Sequence, residues 1–158
     1  MSKRSKRKYR STPVPQVTAS TVVERAVEGR LTVGIDVAKE AMVAAVMDAD
    51  RQVLETVRWS HPRETRAFVE LVEALAAERA VGVAMEPSGV YGDALRWQLL
   101  SAGFEVHRVS PKRTHDMAEV YDGVPSIHDA KSAAIVAKLH IDGASEAWPT
   151  RSDHERAL

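Results

Sequence analysis

Two acidic residues stand at the ends of short apolar segments that have the pattern of β-strands. Asp36 lies near the end of segment 31–38 (LTVGIDVA), and Glu86 directly follows segment 80–85 (AVGVAM). Because side chains alternate along a strand, each acid shares its face only with glycine, alanine or threonine. Ligands of α/β sheets collect at the carboxyl ends of the strands. We therefore expect the two carboxylates side by side at one edge of a sheet.

Two carboxylates held close together repel each other unless they share a proton or a cation. A hard divalent cation with oxygen ligands, usually Mg²⁺, removes this repulsion. For any single acid, a solvated strand end or a helix cap is the better interpretation. For this pair on matching small-residue faces, the metal site and the solvated acids are equally supported.

A third acid, Asp129, begins the helix predicted over 129–140 (DAKSAAIVAKLH). An aspartate at that position often only caps the helix and interacts with its dipole. Capping by Ser126 would instead leave Asp129 able to bind a ligand. His128 adjoins Asp129 and is a weaker candidate for the site, and Ser88 is interpreted as a turn residue because no nucleophile motif surrounds it.

The pattern between these acids predicts the elements that must position them. Three consecutive strands are expected, over 31–38, 42–47 and 52–59. Helices and strands then alternate, with helices over 62–79, 91–102, 110–120 and 129–140 and strands over 80–85 and 105–109. An antiparallel meander followed by βα units implies an α/β fold with a mixed sheet and helices on both faces.

The two ends of the chain differ from this central part. Residues 1–30 are expected to form a largely disordered tail with a short helix opening at Thr21, and residues 31–145 to form the domain. The first ten residues contain a basic block that either binds phosphates or only aids solubility. Its members are Lys3, Arg4, Lys6, Arg7, Lys8 and Arg10. In 146–158 a capping box, Ser152 to Glu155, predicts the start of a linker helix.

Composition excludes several classes of protein. The chain of 158 residues has a formal net charge of zero and no cysteine, which excludes disulfides, thiolate zinc sites and cysteine nucleophiles and fits a reducing cytoplasm. No apolar run approaches the roughly 20 residues that span a membrane, so no membrane partner is expected. A phosphate-binding loop motif is also absent from the sequence.

Three segments, taken in order, resemble the DEDD-type insertion-sequence transposases, relatives of the Piv-type DNA invertases that include bridge-RNA-guided recombinases. They are 33–39 (VGIDVAK), 84–91 (AMEPSGVY) and 121–133 (YDGVPSIHDAKSA). The resemblance implies an RNase H-like (RuvC-like) domain that binds Mg²⁺ or Mn²⁺ through four catalytic acids. It implies DNA and a guide RNA as partners, and a homo-oligomer for the full-length protein. By position, Asp36, Glu86 and Asp129 are the first three acids.

The fourth position departs from the family pattern. The family has Asp-x-x-Asp-Ala where this chain has Asp129-Ala-Lys-Ser132-Ala133, and a neutral hydroxyl is a weaker ligand for a hard cation. In the family a second domain supplies a serine nucleophile. The resemblance thus implies the N-terminal domain of an enzyme for RNA-guided DNA cleavage and exchange, inactive on its own.

Two other functions compete with this one. The first is a catalytically degenerate nucleic-acid-binding remnant of such a transposase, for which Ser132 is the argument. The second is a sugar-kinase or actin-like ATPase, which the lack of later glycine-rich phosphate turns disfavours. Under the transposase interpretation we expect nucleic acid to contact the basic block of the tail and, in the domain, Lys39, Lys112 and Arg113.

Overall fold

The computed structural model describes residues 10–87 and 89–148. Its strands are β1 Thr12–Pro13, β2 Leu31–Asp36, β3 Ala41–Met47, β4 Val53–Ser60, β5 Val81–Glu86, β6 Val106–Arg108 and β7 Glu146–Ala147. Its α-helices are α1 Ala19–Glu24, α2 Thr65–Ala76, α3 Asp93–Ser101, α4 Pro111–Asp122 and α5 Asp129–Ile141, and a 3-10 helix spans Val14–Gln16. The predicted order of three strands followed by alternating helices and strands is confirmed.

All seven strands form one sheet in the order β1-β4-β3-β2-β5-β6-β7. Strands β2, β3 and β4 are the predicted antiparallel meander, whereas β5 pairs parallel with both β2 and β6. The mixed sheet expected from the sequence is therefore confirmed. β2 lies at its centre, because it is hydrogen-bonded to β3 on one side and to β5 on the other.

The register of β2 and β5 aligns the two small-residue faces. Gly34 pairs with Ala84, and Asp36 pairs with Glu86. Directly paired residues point to the same face of a sheet. The two acids therefore end neighbouring strands, at the same edge and on the same face, as the alternation of side chains predicted.

The opposite face of the sheet carries the main hydrophobic core. Bulky residues of β2 and β5, such as Ile35 and Val83, pack there against α2 and α3. Trp59 of β4 stacks on Phe68 of α2, with ring centroids 3.8 Å apart and planes inclined by 6°. Because large and small residues alternate along β2 and β5, one face of the sheet carries the bulky hydrophobic core. The other face carries small side chains and allows a helix to pack closely on it.

Helix α5 covers the small-residue face and lies almost directly on β2. A Cβ atom at Gly34 would stand 2.4 Å from the carbonyl oxygen of Ala133 and from the backbone nitrogen of Ala137. Ala45 of β3 and Ala134 of α5 complete this contact with equally small side chains. A helix surrounded by the sheet and by α4 must be apolar on most sides, which explains the alanine-rich sequence of α5.

The N-terminal region is more ordered than the sequence predicted. Residues 12–24, expected to be mostly disordered tail, form β1, the 3-10 helix and α1, and Val14 and Val22 are buried in the main core. Helix α1 begins after Thr18 without a side-chain cap, so the capping box at Thr21 was wrong. A two-residue strand such as β1 is too short to give a periodic signal.

Other element boundaries also differ from those predicted from the sequence. Helix α2 begins at Thr65 rather than at 62, after a turn in which the Glu64 carboxylate accepts a hydrogen bond from the Ser60 amide. Strand β7 pairs with β6 inside the segment expected to be a linker. Three predicted features lie outside the described residues: Lys3 to Lys8 of the basic block, Ser88 and the capping box at Ser152. Among the described helices, none has the length and hydropathy needed to cross a bilayer.

Replacing Gly34 by alanine is expected to destabilise the fold by about 3 kcal/mol, because the new methyl group would collide with the backbone of α5. Gly82→Ala is the matched control on the same face. Its methyl group would meet side-chain atoms rather than backbone, the His140 ring at 3.0 Å and Arg30 Nη1 at 3.5 Å, and should cost on the order of 1 kcal/mol. Urea denaturation of both variants measures the difference, and equal midpoints would show that α5 does not rest on β2 at this point.

Candidate functional site

The three predicted acids converge where α5 meets the ends of β2 and β5. The Ser132 hydroxyl lies 3.2 Å from Glu86 Oε2 and 3.5 Å from Asp36 Oδ1, in position to donate to either carboxylate. Asp129 lines the same cavity as Asp36 and Glu86, and its proximity helps to raise the pKa of Asp36. The fold thus brings together all four residues named from the sequence motifs.

The cap of α5 is His128, which the sequence analysis considered only as a weaker candidate for the site. His128 has an extended backbone (φ −144°, ψ 170°), and its Nδ1 accepts a hydrogen bond from the Lys131 amide at 3.4 Å. Capping by Ser126 was therefore wrong, and Asp129 is not the cap either. Because the imidazole takes this role, the Asp129 carboxylate can face Asp36 instead.

Lys131 fixes the loop that leads into α5, and sequence reasoning missed it. Only 2% of its side chain is exposed. Its ammonium donates hydrogen bonds to Asp122 Oδ1 at 2.7 Å and to the carbonyl oxygens of Val124 and Ser126 at 2.6 and 2.7 Å. A buried ammonium requires such complete pairing. Its signal in the sequence was a cation among the small residues 130–134 near the start of the helix.

Burial and mutual repulsion perturb the acid cluster. The pKa of Asp36 is raised to about 7, first by burial, then by the charge of Asp129 and the hydrogen bond to it, and then by the charge of Glu86. The hydrogen bond from Ser132 acts in the opposite direction and lowers this pKa. Because this pKa is about 7, Asp36 is protonated in only part of the molecules near neutral pH. A bound proton is one of the two ways to relieve the repulsion of adjacent carboxylates.

These side chains open into a cavity of about 340 Å³. Its walls are formed by Asp36, Glu86, Pro111, Thr114, His115, Ile127, His128, Asp129 and Ser132. The residues of α4 in this wall were missed by the sequence analysis. Positions 111, 114 and 115 share one face of a helix, so a search for polar residues at that spacing would have found Thr114 and His115.

Of the residues predicted to bind nucleic acid, those that the structure describes do not line this cavity. Lys39 is exposed between β2 and β3, and Lys112 is paired with Asp116 on α4 at 2.9 Å. Arg113 and Arg108 line a second cavity of about 320 Å³, which shares Pro111 with the first. Arg10 lines a third cavity, at the β1 edge of the sheet.

The donor set fits a hard divalent cation. Three carboxylates and one hydroxyl supply only oxygen ligands, the kind that Mg²⁺ and Mn²⁺ prefer. Within residues 10–87 and 89–148, however, no three His, Asp or Glu side chains are already arranged around a metal-sized centre. Because burial and the neighbouring acids raise the pKa of Asp36, a cation that binds here would displace a proton from this carboxyl.

Comparison with known proteins identifies the family. Residues 33–158 match the sequence profile DEDD_Tnp_IS110, described as a transposase. The chain belongs to this DEDD transposase family. Among curated protein sequences there is no significant match.

Solved structures agree with the family assignment at the level of the fold. The T. thermophilus RuvC structure in complex with a Holliday junction substrate has a TM-score of 0.54 and 16% identity. A second Thermus thermophilus RuvC structure has a TM-score of 0.50 and 14% identity. Each comparison covers 75% of this chain and 99% of the RuvC chain. The transposase domain therefore has the RuvC-like, RNase H-like fold predicted from its sequence.

Replacing Asp36 by asparagine should make stability less sensitive to pH in the presence of a chelator. Folding raises the pKa of this carboxyl, so the stability that its protonated form provides is present at low pH and is lost as pH rises through about 7. At pH 8 the variant should be more stable than the wild type by on the order of 1 kcal/mol, since solvent screens part of the effect. Thermal unfolding between about pH 5 and 8 tests this, and a pH-independent difference would contradict it.

Lys131→Met should destabilise the domain by about 3 kcal/mol, because Asp122 would lose its buried partner. Lys138→Met is the matched control on the same helix. Lys138 pairs with Asp142 at 2.6 Å but is partly exposed, and its loss should cost less than about 1 kcal/mol. Chemical denaturation gives the two values, and hydrogen exchange of amides 123–128 should accelerate only in Lys131→Met. Similar costs for both variants would exclude a special role for the buried lysine.

Proposed function

We propose that this chain is the nuclease domain of a DNA transposase, in which Asp36, Glu86 and Asp129 bind Mg²⁺ or Mn²⁺ for strand cleavage. The observation that carries the proposal is the convergence of these acids and Ser132 on one cavity at the ends of β2 and β5. Membership of the transposase family makes a phosphodiester of DNA the expected substrate.

The roles of the residues follow from their contacts. A bound cation would polarise the phosphodiester and activate its attacking group. Asp36 would release its proton as the cation binds, because metal ligands must be deprotonated. Ser132 would orient Glu86 through its hydrogen bond, and Lys131 would hold the start of α5 so that Asp129 stays in place. His115 and His128 line the space beside the acids, where they can donate hydrogen bonds to phosphate oxygens.

The partners are proposed from the family and the fold. One of the similar RuvC structures is a complex with a Holliday junction substrate, which supports branched or paired DNA as a ligand of this fold. The family resemblance adds a guide RNA, a second domain that carries the serine nucleophile, and a homo-oligomer. In that assembly this domain would cleave DNA strands at positions selected by the RNA.

A second function is favoured by one observation, the hydroxyl of Ser132 between Asp36 and Glu86 where the family has its fourth acid. A site with only three carboxylates holds a divalent cation more weakly. The domain would then be a nucleic-acid-binding remnant that retains the fold without cleavage activity.

Metal binding separates the proposal from other uses of this acid cluster. Calorimetric titration with Mn²⁺ should give one site in the wild type and none in Asp36→Ala or Glu86→Ala. Glu73→Ala is the control, because this acid is exposed on α2, which packs on the opposite face of the sheet. If the wild type bound no Mn²⁺, or if the acid variants bound it as well as the wild type does, the metal site would be refuted.

Ser132→Asp should tighten Mn²⁺ or Mg²⁺ binding by roughly one to two decades. A charge pair at about 4 Å is worth about 4 kcal/mol at an effective dielectric of 20, and a net gain of about 1.4 kcal/mol already gives one decade. Ser132→Ala is the matched control and should bind no more tightly than the wild type. Equal affinities of the wild type and Ser132→Asp would show that position 132 provides no ligand. If the Ser132→Asp variant nicks plasmid DNA and the wild type does not, the result would favour the second function, a remnant without cleavage activity.

A further inference from the structure

One transverse row of the sheet connects the acid cluster to a basic edge. Glu86 pairs with Asp36, Asp36 with Val43, Val43 with Arg58, and Arg58 with Pro13. Paired residues share a face, so Arg58 lies on the same face as the two acids. It is two strands away from Asp36, a distance of roughly 10 Å at the usual strand spacing.

The end of this row is a polar cavity with two guanidinium groups. The cavity measures about 480 Å³ and is lined by Arg10, Ser11, Thr12, Pro13, Gln16 and Arg58. Arg58 is exposed, and its Nη1 donates to the carbonyl and hydroxyl oxygens of Ser11. Within the described residues, neither Arg10 nor Arg58 is paired with a carboxylate. The other donors of Arg58 are therefore available to an anion from outside the domain.

The cations are also placed on both sides of the acids. Arg113 lines the cavity that adjoins the acid cavity on the β6 side, where Arg108 is already paired with Glu146. Arg10 and Arg58 line the cavity on the β1 side. A strand that brings one phosphate to the acids must have neighbouring phosphates on both sides. Arginine binds phosphates through two parallel hydrogen bonds, so this order of charges suits a backbone that crosses the sheet.

Val43, the residue between Asp36 and Arg58 in this row, is buried against the start of α5, whereas Ala41 at the start of β3 is exposed. We propose that a single nucleic-acid strand runs from the acid cavity past the exposed start of β3 to β4, and that Arg58 and Arg10 bind its backbone phosphates there. The inference rests on the proposed function, because it takes the acid cavity as a place where a nucleic-acid backbone binds. The ligand class is a phosphodiester backbone, from either a DNA strand or a guide RNA. The site can bind this backbone whether or not the backbone is cleaved.

The test measures the affinity of the 158-residue chain for 20-nucleotide single strands of DNA and of RNA, as a function of salt and with a chelator present. Arg58→Gln removes the charge and retains a donor for Ser11, and Arg58→Lys retains the charge. Arg66→Gln is the matched control, because Arg66 is an exposed arginine of α2, which packs on the opposite face. Loss of one phosphate contact should lower the slope of log K against log salt by about 0.7.

We expect Arg58→Gln to weaken binding of DNA, of RNA or of both about fivefold to tenfold. The affinity of Arg58→Lys should be intermediate, and that of Arg66→Gln should equal the affinity of the wild type. A loss only with DNA assigns the site to the cleaved strand, and a loss only with RNA assigns it to the guide. Single phosphates of the strand can then be replaced by neutral methylphosphonates. One such replacement should weaken binding by the wild type but not binding by Arg58→Gln.

Two results would overturn the inference. If the wild type binds both strands and Arg58→Gln matches Arg66→Gln in affinity and slope, the strand does not cross β4, while the metal titration can still support the proposed function. If the wild type binds neither strand, this inference fails together with the nucleic-acid function itself.

Discussion

The close approach of helix α5 to strand β2 at Gly34 is the contact on which the candidate site depends. Asp36 and Glu86 are fixed by the register of β2 and β5, but Asp129 and Ser132 belong to α5. They reach the other two residues only because the helix rests almost directly on the backbone of β2. A larger side chain at position 34 would lift the helix and separate the two halves of the cluster.

The cluster places three carboxylates where the ends of two strands meet the start of a helix. Repulsion between these carboxylates destabilises the folded domain. The raised pKa of Asp36 is the sign of this conflict, since burial and the neighbouring carboxylates disfavour its charged form. The buried cation nearby does not help, because Lys131 points into the loop and is paired with Asp122. The loop is thus held rigidly while the acids keep the negative charge that suits a divalent cation.

Ser132 is the position at which the proposed site differs from the four acids that the family resemblance implies. Its hydroxyl contacts two of the three proposed acids. The proposed site thus has four polar residues but only three carboxylates. The two proposed functions, an active nuclease and a binding remnant, differ in whether three carboxylates hold the cation tightly enough.

The sequence by itself determined the local features: the alternation that places Asp36 and Glu86 on small-residue faces, the order of strands and helices, and the three motifs of the transposase family. These depend on side-chain periodicity and on neighbours along the chain. Only the tertiary structure decided that His128 rather than Ser126 caps α5, that Lys131 is buried, that Thr114 and His115 face the acids, and that Arg58 stands in their row. Each of these depends on which distant segments come into contact, and strand register and helix packing are not encoded in any single local pattern.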